Sequence, residues 1–335
     1  MILIVSTADD PTAQAVERRL RSRGVNVLIF DSGRFPSEAR ITVSYRDGMP
    51  RYALRVDGQV VRFEELTSIW FRRPSLSVAH PSITDEEVRA VVERDCGEFL
   101  SALWESMDCL MLPGSPTVMR TAQRKPTHMA RAKALGFDIA PTIFTNDPRE
   151  FLDLYREQEG RLIHKITANL SLRERRGTQF SRLTCGVTRR DVMHAESVSL
   201  SPIVFQAYVP KRLELRVTVV GDRVFAAEIH SQKTNRTHFD WRRYDLGSTP
   251  HHPHQLPRDV ADRCVQLVAQ FGLTYGTIDL ILTPDDRYVF LELNSAGEYA
   301  WIEQIAGLPI SDAIADLLMS PMRAHQLPVA ELAHA

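Results

Sequence analysis

Asp279, Glu292 and Asn294 lie in the stretch TIDLILTPDDRYVFLELNSAGEYAWIE, Thr277 to Glu303, and their types and spacing suit a hard divalent cation such as magnesium. Two strand-like runs, Thr277–Thr283 and Tyr288–Leu293, flank the turn signal Pro284-Asp285-Asp286-Arg287, which predicts a β-hairpin. Pairing Thr283 with Tyr288 sets Asp279 opposite Glu292, and the two-residue period puts Asn294 on the face of Glu292. Charged groups in apolar strands are costly unless neutralised, and a cation shared with phosphate oxygens would neutralise them. That points to nucleotide chemistry. A solvated strand face is the rival reading of this segment taken alone.

Cations that could meet phosphates precede the trio. Lys165 ends the strand-like LIHK, and Lys125 opens a helix in RTAQRKPTHMARAKALG, where free N–H groups and the dipole favour an anion. Gln206 to Val209 reads as an extended crossing segment before Pro210, with a polar group for an adenine edge and Tyr208 or Val209 to pack against its face. Glu214 and Arg216, two apart on a strand, put an acid for ribose hydroxyls beside a guanidinium for phosphate or carboxylate oxygens. Each also has a bland reading: surface lysines, plain core strand, surface ion pair. Arg72 and Arg73 in IWFRRP, with Arg242 of DWRR, offer guanidinium forks for a second anion, or a salt bridge between lobes.

The elements that must position these groups read as α/β with α+β lobes. A strand at Ile2–Ser6, a helix over Thr12–Gly24 and a strand at Val25–Phe30 make a βαβ start. Short antiparallel strands follow at Ile41–Tyr45, Arg51–Val56 and Gln59–Phe63, then a buried strand at Ile69–Phe71 and a long helix and strand over Thr84–Leu112. A section with helices at Lys125–Leu135 and Pro148–Glu157 and strands at Thr142–Phe144 and Leu162–Lys165 comes next. From Ile203 longer hairpins appear, with helices at Pro257–Phe271 and Pro309–Leu318 and an aperiodic tail after Pro321. The division is 1–115, 116–202, 203–325 and a tail 326–335.

With 41 basic and 42 acidic side chains the net charge is −1, so no global field draws the chain to nucleic acid or a membrane surface. Any attraction is local. Arg173, Arg175, Arg176, Arg182, Arg189 and Arg190 share one stretch in which Glu174 is the sole acid, read as a cover over anionic ligands or as a solvated loop. Cys96, Cys109, Cys185 and Cys264 form no CxxC, which fits reduced thiols in a cytoplasm. The first apolar run is too short for a signal peptide, and no apolar run reaches the roughly 18 residues of a membrane span. His251, His252 and His254 around Pro253 read as a solvated loop rather than a zinc site. No GxGxxG follows the first strand, which disfavours a dinucleotide-binding oxidoreductase.

In order, Lys125, Lys165, Gln206–Val209, Lys211, Glu214, Arg216, Asp279, Glu292 and Asn294 resemble the ATP-grasp superfamily. The closer resemblance is to ATP-grasp ribosomal-peptide maturases, the graspetide or microviridin-type macrocyclases, and spans nearly the whole chain. It is carried by ADDPTAQAVERRLRSRG, IWFRRP, KPTHMARAKALGF, LIHK, FQAYVPKRLELRVTVVGDRVFAAEI and FLELNSAGEYAWIE. The resemblance implies an ATP-grasp fold behind an N-terminal Rossmann-like pre-ATP-grasp domain. It implies that Lys125 and Lys165 contact ATP phosphates, that Gln206, Tyr208 and Val209 contact adenine, and that Lys211 and Glu214 contact the ribose. Arg216 would act on the transferred phosphoryl, with Lys165 as its catalytic partner. Asp279, Glu292 and Asn294 would hold Mg²⁺, as two ions.

The implied activity is ATP-dependent activation of Glu or Asp side chains in a ribosomal precursor peptide as acyl phosphates, closed onto Ser/Thr hydroxyls or Lys amines as intramolecular esters or amides. Arg72, Arg73 and Arg242 are the candidates for the acyl donor. By resemblance Phe180–Ser197, with Asp191, docks the precursor's leader, and the enzyme is a cytoplasmic homodimer without nucleic-acid or membrane partners. Gly177 stands alone among arginines where the family has a Gly-rich lid, so the lid contacts stay open. A RimK-like ligase adding an amino acid to a carboxylate is the alternative enzyme, and a catalytically silent nucleotide- or peptide-binding module is the alternative of another class.

Overall fold

Strand β1 (Ile2–Val5) is wholly buried and leads into α1 (Pro11–Ser22). The helix starts where it does because the Asp10 carboxylate accepts from the N–H groups of Thr12 and Ala13 at 2.8 and 2.9 Å, and Pro11 needs no donor there. It ends before Gly24, whose φ of 77° is the left-handed conformation that turns the chain into β2 (Val27–Phe30). A meander follows, β3 (Arg40–Ser44), β4 (Arg51–Val56) and β5 (Gln59–Arg62), then β6 (Ser68–Phe71), α2 (Glu86–Glu105) and β7 (Leu110–Leu112). Strands β2, β1, β6 and β7 form, in that order, a parallel sheet. Covered on both faces, it reads as near-continuous apolar runs. The computed structural model of the chain describes residues 1–320 apart from 47, 166–170, 174–178, 182–183, 234–236 and 242–248.

The middle of the chain supplies α3 (Pro116–Ala122), α4 (Lys125–Ala134), β8 (Asp138–Ile139), β9 (Thr142–Thr145), α5 (Pro148–Glu157) and β10 (Leu162–Lys165). It continues through β11 (Ser171–Arg173), β12 (Gln179–Ser181), β13 (Cys185–Gly186), α6 (Arg189–Met193) and β14 (Ile203–Ala207). A small antiparallel sheet runs β13-β10-β14-β9. Leu162 and Phe205 pack on Phe151 and Leu154 of α5, the rings of Phe151 and Phe205 stacking at 4.2 Å. Alternation then puts Ile163, Lys165, Val204 and Gln206 on the opposite face.

The last part holds β15 (Leu213–Val220), β16 (Arg223–Ile229), β17 (His251–His254), α7 (Arg258–Gln270), β18 (Tyr275–Leu282), β19 (Tyr288–Asn294), α8 (Ala300–Ala306) and α9 (Ile310–Met319). Its sheet is ordered β17-β16-β15-β18-β19-β8, with only β8 parallel to its neighbour. One face buries Leu215, Val217, Ile278, Leu280 and Phe290 against Cys264, Leu267 and Val268 of α7. Ala132 of α4 and Phe137 join this same core, so α4 and β8 pack with the large sheet although they precede the small one in sequence. The other face carries Glu214, Arg216, Thr218, Thr277 and Asp279, all under 8 % exposed.

One expectation fails here. His251–His254 is a strand rather than a loop, paired with β16 from Ala226 to Ile229. Pro253 is tolerated because β17 is an edge strand, where a missing N–H costs no ladder bond. Helices α3 and α8 were not anticipated. None of the four cysteines is in a disulfide, and no helix among the described residues is long and apolar enough to cross a membrane. The tail 326–335 lies outside the described residues.

Candidate active site

The β18–β19 hairpin brings the acidic residues together by a route the sequence does not show. Its turn is closed by Thr283, whose N–H donates to Arg287 O at 3.0 Å and whose carbonyl accepts from Asp286 N at 3.1 Å. Asp286 takes φ 63°. Leu282, not Thr283, pairs with Tyr288, so the hairpin starts one residue away from the expected register. Between Leu280↔Phe290 and Asp279↔Glu292 the ladder shifts, leaving Leu291 as the extra residue of a β-bulge. Thr277 then pairs with Asn294, and Asp279, Glu292 and Asn294 share the polar face.

Arg216 lies opposite Asp279 on the neighbouring strand, and its Nη1 donates to Asp279 Oδ1 at 2.8 Å. Burial works against the Arg216 cation, yet Asp279 beside it holds the guanidinium above its ordinary pKa. Arg216 Nε is buried without a hydrogen-bond partner. Lys125, the first residue of α4, puts its Nζ 3.4 Å from Glu292 Oε2. Asn294 Oδ1 accepts from Ala296 N at 3.0 Å, which fixes the loop after β19.

On the small sheet, Gln206 Nε2 donates to Thr142 Oγ1 at 2.8 Å while its Oε1 is buried and unpartnered. Lys165 shares the face of Gln206. Tyr208 N donates to Arg161 O at 2.9 Å, and its hydroxyl meets His238 Nε2 at 2.9 Å. Lys211 Nζ donates to Glu214 Oε1 at 2.9 Å and to Phe239 O at 3.2 Å. Burial pushes the Glu214 carboxyl up, with Lys211 pulling part-way back. Val209 is half-buried next to Tyr208. The DWRR motif was quoted only for Arg242, yet its Asp240 accepts from Thr184 N at 2.9 Å and so links the loop before β17 to the residue preceding β13.

A family described as the MvdD pre-ATP grasp domain matches residues 1–115. The fold also matches a Chryseobacterium gregarium RiPP-associated ATP-grasp ligase in complex with ADP and a leader and core peptide, at 28% identity and TM-score 0.88, over 95% of each chain. Macrocyclase MdnC from Microcystis aeruginosa, bound with precursor peptide MdnA, matches at 27% identity and TM-score 0.83, over 95% of this chain and 98% of that one. Macrocyclase MdnB from the same organism matches at 29% identity and TM-score 0.78, over 95% and 98%. No curated protein matches the chain.

Over nearly its whole length the chain has the fold of these ATP-grasp ligases.

Between the small sheet and the large one, Tyr208 meets His238 and Thr184 meets Asp240, while Lys125, Arg216, Asp279 and Glu292 lie together beside β18 and β19. The donor set fits Mg²⁺. Asp279, Glu292 and Asn294 offer oxygen only, and among the described residues no group of three or more His, Cys, Asp or Glu is placed to hold a metal by itself. Nucleotide oxygens would complete such a site. The orphaned Gln206 Oε1 fits the adenine amino group as its acceptor.

The other candidates are placed as follows. Arg72 is 6 % exposed at the carboxyl end of β6, and its Nη2 donates to Glu298 and, at 3.2 Å, to Thr12 Oγ1, with Asp10 Oδ2 at 3.7 Å. Arg73 also donates to Glu298. The salt-bridge alternative is thus the arrangement found, joining the parallel sheet to the loop after β19. Glu298 and Asp10 were not singled out; an acid directly after the Ser295-Ala296-Gly297 turn was the available signal for Glu298. Asp191 caps α6, accepting from Thr188 N at 2.7 Å and Thr188 Oγ1 at 2.6 Å. Arg242, Arg175, Arg176 and Arg182 lie outside the described residues.

Proposed function

We propose that this ligase activates Glu or Asp side chains of a ribosomal precursor peptide with ATP and closes them onto Ser/Thr hydroxyls or Lys amines of the same peptide. The observation that carries the reading is the run Arg216, Asp279, Glu292 and Lys125 on adjoining elements, two cations and two carboxylates side by side. A carboxylate is a poor electrophile. Its oxygen attacks the γ-phosphorus, the bridging P–O bond breaks and ADP leaves, giving an acyl phosphate. The hydroxyl or amine then attacks the acyl carbon, loses its proton and expels phosphate, so each link removes one water overall.

Bound at Asp279, Glu292 and Asn294, Mg²⁺ would offset charge on the phosphates. Arg216 stabilises the transferring phosphoryl, with Lys165 and Lys125 on phosphate oxygens. Gln206, Tyr208 and Val209 hold adenine, and Lys211 and Glu214 hold the ribose side. Arg72, Arg73 and Arg242 serve the acyl donor, and Asp191 lies in the leader dock. The reading includes two Mg²⁺ ions, a cytoplasmic homodimer, and the division 1–115, 116–202, 203–325 and a tail 326–335.

The test is turnover with a leader-bearing peptide rich in Thr and Glu or Asp. ADP release without any free amino acid, with mass losses of water from the peptide, is the expected result. A requirement for a free amino acid would move the reading to a RimK-like ligase, and no ADP release would overturn both.

A further inference from the structure

Arg72 and Arg73 carry the two guanidinium forks best suited to an acyl donor's carboxylate, yet a carboxylate of the chain itself already sits between them. Glu298 receives Arg72 Nη2 on Oε2 and Arg73 Nη2 on Oε1. With Asp10 beside Arg72, the group holds two cations and two anions, so an additional carboxylate finds no net positive charge. The same residue touches the phosphoryl-handling side, for Arg216 Nη2 lies 3.4 Å from the Glu298 carbonyl oxygen. A carboxylate held where Glu298's is held is therefore one residue's length from Arg216.

Burial says which member can leave. The Arg72 side chain is 5% exposed and also anchored by Thr12 and Asp10, whereas that of Glu298 is 38% exposed. Arg73, at 60%, opens the group to solvent. Glu298 follows Gly297 in the loop between β19 and α8, so its side chain can swing out while β19 and α8 stay put.

We propose that Glu298 occupies the seat of the acyl donor's carboxylate, and that a Glu or Asp side chain of the substrate enters by displacing it from Arg72 and Arg73. This rests on the function proposed above. It adds that the chain carries its own stand-in for the donor, which sets donor affinity and keeps the arginines oriented while the site is without peptide.

The test is Glu298→Gln, read first with sodium glutarate as a small dicarboxylate probe against sodium chloride at matched ionic strength. Removing the internal anion exposes two guanidiniums, so glutarate should raise the melting temperature of the variant and leave the wild type unmoved. With the leader-bearing peptide, the apparent KM should fall about tenfold and kcat change less than about twofold, the signature of relieved competition for binding. A fall in kcat with KM unchanged or raised, or glutarate responses that match between the two proteins, would overturn the proposal. Should Glu298→Gln not fold by circular dichroism, Glu298→Asp serves: its shorter carboxylate grips less well, so KM must fall in the same direction, and an unchanged KM sinks the idea. Wild-type ADP binding by calorimetry tests the nucleotide reading separately, because the glutarate response needs no turnover.

Discussion

Asp279 faces Glu292 because Leu291 is an extra residue in β19. Had the ladder continued in the register of Leu280↔Phe290, Glu292 would oppose Ile278 and point into the apolar core. The bulge turns it onto the polar face with Arg216 and Asp279. Asn294 follows two residues later.

Glu292→Gln keeps the shape and the bulge but removes one of the two charges that attract a cation. Ligation should fall on the order of 10²-fold or more, with a raised Mg²⁺ requirement for ADP release and an unchanged far-ultraviolet dichroism spectrum. Full activity at the original Mg²⁺ concentration would refute the metal assignment.

Gly297 is required by close approach rather than by its backbone angle. A Cβ there would lie 1.8 Å from Thr277 Oγ1, on the strand residue that pairs with Asn294. Gly297→Ala must therefore push the loop Ser295–Tyr299 outward and move Glu298 with it. Expected are a stability loss of about 1–3 kcal/mol in denaturant unfolding and a fall in kcat/KM beyond what that loss explains. Wild-type kinetics in a folded variant would show that the loop's position does not matter.

Much of this architecture was legible because the local signals are strong. Helix α5 and strand β10 fall where the sequence puts them, and the βαβ start follows from the apolar run at Ile2 and the helical spacing of Ala15, Val16 and Leu20 up to Gly24, whereas the Asp10 cap that sets the start of α1 is seen only in the fold. The facing of Asp279 and Glu292 was read correctly from an incorrect turn register: the expected pairing began one residue late, and the bulge made up that residue. A bulge is a long-range compromise between core packing and charge placement, and spacing alone does not reveal it. His251–His254 was misread because proline and histidine are poor strand formers; an edge position beside β16 overrides that preference. Glu298 escaped notice because its partners Arg72 and Arg73 are more than two hundred residues away, and only the fold brings them together.

Arg216→Lys separates charge from geometry. A lysine can still neutralise Asp279, but it loses the planar fork that also reaches the Glu298 carbonyl. Turnover should drop about 10²-fold while the melting temperature changes little. Arg216→Met, which leaves Asp279 buried without its cation, should cost about 3–5 kcal/mol in unfolding as well. Equal stability losses in the two variants would place Arg216 in a structural role alone.

Glu214 should make stability and nucleotide affinity move in opposite directions with pH. Burial pushes its carboxyl above the ordinary value of 4.5, with Lys211 opposing, so the folded chain keeps a proton that the unfolded chain has already released. In that window the folded state binds more protons, and the stability it contributes, fully present below 4.5, is lost as pH rises through the raised value. Relative to Glu214→Gln, the wild type should therefore melt at progressively lower temperature as pH rises across this window. Its ADP affinity relative to the same variant should rise there, because the ionised carboxylate accepts ribose hydroxyls more strongly than the neutral acid. Calorimetric melts and ADP titrations of both proteins over the same pH series provide the check. Parallel melting curves would show that Glu214 is not held protonated by burial, and parallel affinity curves would remove it from the ribose site.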